Sequence, residues 1–134
     1  MISISLIIPT YLRQNIVLNT LKELGNQSVQ QFEVTVVDQS PTYNSNLIQY
    51  KYDEIEYKYI QIEEIGLPNA RNVGAKNSKG DILIFIDDDC IPDNNLVQSY
   101  ISLFSSADPD TWCFGGKVNE KNSDIFMEDA SIVG

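Results

Sequence analysis

No histidine occurs anywhere in the 134 residues, and the two cysteines, Cys90 and Cys113, stand apart without Cys-x-x-Cys spacing. A zinc site gathers thiolate and imidazole ligands at short spacings, so zinc is excluded, as is acid–base chemistry run by an imidazole. Both cysteines are expected to be reduced and buried, and the carboxylates crowding Cys90 speak against a reactive thiolate there. Basic residues are scarce as well: nine Lys and Arg face nineteen Asp and Glu, for a formal charge of −10. Such a chain lacks the footprint for gripping nucleic-acid phosphates, so no nucleic acid is expected as a partner and each cation must act locally. Long apolar runs are missing too. None approaches the ~20 residues of a spanning helix, and Met1 leads straight into Ile2 to Ile8 without a basic leader. The expectation is a soluble, cytoplasmic protein.

What is present is a 43% hydrophobic chain, enough for one globular core. Ile4 to Ile8 reads as a buried first strand that stops at Pro9, which cannot donate to a sheet ladder. Ile16, Leu18, Leu21 and Leu24 recur at helical spacing from about Asn15 to a stop at Gly25. Phe32 to Val37 is rich in β-branched residues and ends at Asp38 before a Ser40-Pro41-Thr42 turn, giving a second strand. Leu47 to Tyr52 suggests a short helix, and Tyr57 to Ile62 a third strand. Pro68 suits a helix start, after which Ala70, Val73, Gly74 and Ala75 offer a small face for close contact with a sheet. Ile82 to Ile86 is continuously apolar, as in a parallel strand covered on both faces, and runs into Asp87-Asp88-Asp89. A helix over Leu96 to Phe104 and a strand over Trp112 to Val118 follow; beyond Asn119 the pattern fades. Strands alternating with helices predict an α/β fold with a mostly parallel sheet flanked by helices.

Ligands of open parallel sheets bind outside the carboxyl ends of the strands, and three such ends carry polar groups here: Thr10 and Tyr11, Asp38, and the aspartate triplet. Three adjacent carboxylates repel one another unless water, hydrogen-bond donors or a cation compensates them. A hard divalent cation suits oxygen ligands and often completes its shell with substrate phosphates, which points to a nucleoside diphosphate. The plainer reading, that the triplet ends a strand and Asp93 caps the next helix, carries about equal weight for the triplet alone. Tyr11 could stack on a base, although packing is the commoner role of such an aromatic. Asp38 could bind a base or ribose or, as often, merely form the turn before Pro41. Arg71 could pair with a diphosphate or a base carbonyl, where a solvated arginine is the ordinary case.

In order and spacing, Ser5-Leu6-Ile7-Ile8-Pro9-Thr10-Tyr11, Phe32 to Asp38, Gly66-Leu67-Pro68-Asn69-Ala70-Arg71-Asn72-Val73-Gly74 and Gly80-Asp81 leading to Asp87-Asp88-Asp89 resemble the amino-terminal half of family 2 glycosyltransferases. The likeness runs from Ser3 to about Gly116. It implies a single, partial GT-A, Rossmann-like domain over residues 1–134, the donor-binding half, of which about 1–118 matches the family. It also implies transfer of a sugar, with inversion, from a nucleotide-activated donor to a glycan or lipid-linked acceptor hydroxyl. By position, Pro9, Thr10, Tyr11 and Asp38 would hold base and ribose, and Arg71 the base or diphosphate. Asp87-x-Asp89 would be the DxD motif binding Mn2+ or Mg2+, with Asp89 foremost as ligand and Asp87 or Asp88 contacting ribose or metal-bound water. Two positions depart from the family. Gln39 stands where a second acid often contacts uracil, so UDP is favoured but the base stays open, and Leu12 replaces a common Asn. The catalytic base is expected beyond Gly134, and Glu128-Asp129 is not assigned that role. The resemblance also implies polysaccharide or glycolipid assembly, at the inner face of a membrane if not free in the cytoplasm. A truncated sheet would expose an edge prone to self-association. The rival reading is a nucleotide-sugar-binding module without transferase activity, completed by a partner.

Overall fold

A computed structural model describes residues 2–111, 113, 115–119 and 126–130, from residue 116 onward by backbone alone. The strands β1 (Ile4–Thr10), β2 (Glu33–Asp38), β3 (Glu56–Gln61) and β4 (Ile82–Phe85) form a parallel sheet in the order β3-β2-β1-β4. The chain winds outward from β1 through β2 to β3, then returns to lay β4 on the far side of β1. The reversal leaves a crevice outside the carboxyl ends of β1 and β4, where α/β sheets bind ligands. Thr10 ends one wall, and the aspartate triplet follows the other.

Alternation along the strands sorts the core into two faces. Leu6 and Ile8 of β1, Val34 and Val36 of β2 and Ile84 of β4 pack on Val17, Leu21 and Leu24 of α1 (Gln14–Leu24), Leu47 of α2 (Ser45–Gln49), and Val97 and Tyr100 of α4 (Leu96–Ser105). Ile7 and Val37 turn the other way and meet Ala70 of α3 (Leu67–Lys76). The small face expected of α3 is real. A Cβ at Gly74 would sit 2.4 Å from Ile7 Cγ2.

Several expected boundaries shift, each for a local reason. β1 does not stop at Pro9 but runs to Thr10, with Pro9 opposite Val37. The carbonyl of Ile7 accepts from Ile86 on the β4 side, while that of Thr10 accepts from Gln39 on the β2 side. The missing N–H of Pro9 therefore falls on the β4 side, past the last β4 residue, where no ladder bond is lost. β4 ends at Phe85 rather than Ile86, and Leu83 and Phe85 on its α3 face are only half-buried, so its apolar run does not mark full cover on both faces. Asp93 does not cap α4. Its carboxylate accepts from Asn95 N (2.8 Å), an Asx turn, and Asn95 occupies the cap position. Both cysteines are free, but Cys90 is only half-buried and Cys113 is exposed.

The strand expected from Trp112 begins at Gly115: β5 (Gly115–Asn119) pairs antiparallel with β6 (Phe126–Ala130), and Trp112 and Phe114 lie outside the described residues. The sequence reading missed β6, because Glu128 and Asp129 are poor strand formers and hide its pattern. In register they stand opposite Lys117 and Gly116.

Candidate functional site

Thr10 shares the α1-side face with Leu6 and Ile8, and this orientation aims its hydroxyl across the crevice at the loop after β4. Thr10 Oγ1 donates to Asp88 Oδ2 at 2.8 Å. The same loop is held from below by Thr20 of α1, whose hydroxyl lies 2.6 Å from the Asp88 carbonyl and 2.9 Å from that of Cys90. The triplet is thereby sorted: Asp88 turns inward and is 8% exposed, while Asp87 and Asp89 face solvent. A buried carboxylate requires compensation. Besides Thr10, Arg13 supplies it: Nη1 lies 3.3 Å from Asp88 Oδ1 and 3.5 Å from Asp89 Oδ2.

Arg13 is the site residue that reading the sequence missed. Its only signal was position, one residue before α1 on the loop from Thr10, since its partners lie more than seventy positions away.

Asp38 lies on the same face and is 2% exposed. Its oxygens organise the neighbouring loop: Oδ1 accepts from Ser40 N (2.9 Å) and Oδ2 from the Tyr59 phenol (2.6 Å). Burial first, and this hydrogen bond second, keep the Tyr59 phenol protonated well above its ordinary range, so it donates throughout the physiological window. Ser40 Oγ in turn accepts from Leu12 N (2.8 Å). The turn-forming role of Asp38 is thus realised, and its carboxylate still lines a cleft of about 370 Å³ bounded by Thr10, Arg13, Ser40, Thr42 and Asn44. That volume is in the range of small-ligand sites. A larger cleft, about 460 Å³, opens between α2 and β3, walled by Tyr50, Tyr52 and Tyr57. Those rings pack edge-on against one another at centroid distances of 5.0–6.2 Å, and no carboxylate lines this cleft, whereas Asp38 lines the smaller one.

The expected set is split by the sheet. By alternation Pro9 faces the α3 side with Ile7, and so does Gln39 with Val37. Gln39 is 6% exposed, and its Nε2 donates to the carbonyls of Glu64 (2.9 Å) and Gly66 (2.7 Å). Both amide hydrogens are therefore occupied in tying down the turn into α3, where Gly66 has a φ of 136°. Arg71 is also on this side. Its guanidinium carbon stands 5.9 Å from the centre of the Phe85 ring, and it does not join Thr10, Asp38 and Asp88. Tyr11 is 40% exposed at the rim.

Leu12 has a φ of 52°. This left-handed conformation costs a branched residue about 1 kcal/mol, and Asn tolerates it, which accounts physically for the Asn common at this position. Leu12 is 65% exposed, so little packing depends on it. Leu12→Asn is expected to raise the thermal midpoint by a few degrees, about 0.5–1 kcal/mol, in a calorimetric melt.

Among the described residues no group of three or more acidic or cysteine side chains forms a ready-made metal cage. Asp88 is buried against Thr10 and Arg13, while the carboxylates of Asp87 and Asp89 are exposed. This donor set fits a hard cation that takes most of its shell from phosphate and water.

The sequence profile of Glycosyl transferase family 2 matches residues 5–129. The chain belongs to this family. Among family relatives, it is 35% identical over 105 residues to a chondroitin synthase of Pasteurella multocida, covering 75% of this chain and 11% of that protein. It is 31% identical over 111 residues to a validoxylamine A glucosyltransferase of Streptomyces hygroscopicus, covering 79% of this chain and 26% of the relative. The crystal structure of S. aureus TarS 1–349 in complex with UDP superposes with a TM-score of 0.66 at 26% identity, over 75% of this chain and 31% of that one. A mannosyltransferase from Pyrobaculum calidifontis, solved with GDP-Man and Mn2+, shares the fold, with a TM-score of 0.73 at 20% identity, over 84% of this chain and 34% of that one. The chain thus spans about a quarter or less of the two sequence relatives. The GT-A, mostly parallel α/β architecture expected from the sequence is the one observed.

Proposed function

We propose that this chain forms the donor-binding half of a metal-dependent, inverting glycosyltransferase that moves a sugar from a nucleoside diphosphate to an acceptor hydroxyl. The observation that carries the reading is the convergence of Thr10, Arg13 and the aspartate triplet at the β1–β4 switch point of a family 2 chain. That TarS binds UDP favours a uridine donor, and TarS has also been solved with UDP-GlcNAc.

In this reading Pro9, Thr10, Tyr11 and Asp38 border the base and ribose, and Arg71 closes over the base from the α3 side. Asp88 is the anchor. Held by Thr10 and Arg13, it fixes the loop that presents Asp87 and Asp89 to the crevice. Asp89, with Asp87, would hold Mn2+ or Mg2+, which as a Lewis acid offsets charge developing on the leaving diphosphate. Removal of the acceptor proton needs a carboxylate that these residues do not supply. The acceptor is a glycan or a lipid-linked sugar, reached from the cytoplasm or its membrane face.

The test is calorimetric titration of UDP, GDP and dTDP into the chain, with and without Mn2+. Binding of UDP that requires Mn2+ is the expected result. No binding of any nucleotide in the presence of Mn2+ would overturn the reading, and equal binding without it would remove the metal.

A further inference from the structure

Asp89, the foremost carboxylate proposed for the metal, already has a cation. The Arg13 guanidinium spans Asp88 and Asp89 at 3.3 and 3.5 Å, and half of the Arg13 side chain is exposed against 10% for Asp88. Its backbone is fixed: the Arg13 carbonyl accepts from Val17 N (3.0 Å) at the start of α1. The long side chain is therefore hinged on a rigid base, with one nitrogen, Nη1, shared between a buried carboxylate and an exposed one. Resting on the donor-site reading above, we infer that Arg13 is a resident counter-cation of this site and that it and the divalent metal compete for Asp89, the incoming diphosphate drawing Arg13 away.

The charges support this order. Three aspartates and one arginine leave the loop at about −2, which would attract a divalent ion, but an ion on Asp89 would stand within a few ångströms of the guanidinium. Like charges at that distance repel even near a wet surface. A diphosphate supplies the oxygens that a planar, fork-shaped cation binds well, so Arg13 gains a partner as the metal takes its place. Nucleotide and metal then favour each other's binding, and the coupling is reciprocal by linkage. Arg13 on this account is a positioning residue for the metal and a binding residue for the diphosphate.

Arg13→Gln separates these roles, because its two effects have opposite signs. Mn2+ alone, titrated calorimetrically into the free chain, is expected to bind about fivefold more tightly to the variant than to the wild type, since a competing ion pair has been removed. UDP titrated at saturating Mn2+ is expected to bind several-fold more weakly to the variant, since a phosphate partner has gone. A merely structural arginine would weaken both. Shifts of the same sign in both titrations, or no shift in Mn2+ affinity, would overturn the inference. Should Arg13→Gln fail to fold, Arg13→Lys carries the same test: it keeps the charge but loses the planar fork, so weaker UDP binding and a smaller tightening of Mn2+ are expected. Failure of the wild type to bind UDP even with Mn2+ would instead sink the donor-site reading itself.

Discussion

Asp89→Ala is expected to weaken manganese-dependent binding of UDP by about 100-fold or more, the loss of a direct ligand exceeding that for an outer-shell partner, while barely moving the thermal midpoint. The reason lies in how differently two adjacent carboxylates are held. The Asp89 side chain is 59% exposed, and its described contact is the 3.5 Å approach of Arg13, a pair of the kind that contributes little to folding. Asp88 is the opposite case. It is buried, accepts from Thr10 at 2.8 Å and pairs with Arg13 at 3.3 Å. Asp88→Ala would strand the Thr10 hydroxyl and release the loop, at a cost of about 1–3 kcal/mol. Melting both variants by scanning calorimetry and titrating both with UDP and Mn2+ therefore gives a crossed result: Asp89→Ala stable but blind to the metal, Asp88→Ala less stable and impaired for both ligands. An Asp89→Ala variant that melts as early as Asp88→Ala would make Asp89 a structural residue.

Gly80→Ala is expected to be the most destabilising small substitution in the sheet, by about 3 kcal/mol or more, equivalent to about 10 °C or more in midpoint. A Cβ at Gly80 would lie 2.5 Å from Ser5 Oγ, 2.6 Å from Ser5 N and 2.8 Å from the carbonyl carbon of Ile4. Two of these are backbone atoms of β1, which is paired on one side to β2 and on the other to β4 and cannot retreat. Gly80 N also donates to Ser5 Oγ at 2.7 Å, so the clash would disrupt the contact that sets where β4 begins against β1. Gly74→Ala makes a useful contrast. Its nearest obstacle, at 2.4 Å, is a side-chain methyl of Ile7, so a smaller penalty of about 1–3 kcal/mol is expected. Urea melts of the two variants measure the difference. Equal, small effects would mean that β1 can shift, and Ser5→Ala added to Gly80→Ala should restore stability only in part, because the backbone nitrogen remains in the way.

The alternation of β-branched strands with helices was legible because it depends on local periodicity, and each predicted strand of the parallel sheet appears within about two residues of its expected bounds. The placement of Thr10, Asp38 and the triplet at strand ends was legible for the same reason. Arg71 lies on α3, which packs on the face of the sheet opposite Asp88, a separation that the sequence pattern does not show. Gln39 read as a departure that leaves the base open, and its amide is spent on two backbone carbonyls of a turn some twenty-five residues away. Leu12 read only as a replacement for a common Asn; the structure puts it in a left-handed turn, where the leucine bears the strain.

The sequence by itself determined the element order through α4, the polar residues at the strand ends and the family, since these follow from short-range patterns of apolar and polar side chains. Only the tertiary structure decided that β4 lies beside β1 and not beside β3, and with it that Thr10 and Arg13 meet Asp88 across some 75 positions of chain. No local rule encodes that choice. It follows from how two helix-covered faces bury their apolar surface, and once the strands have taken that order the crevice, its buried aspartate and the arginine that holds it follow.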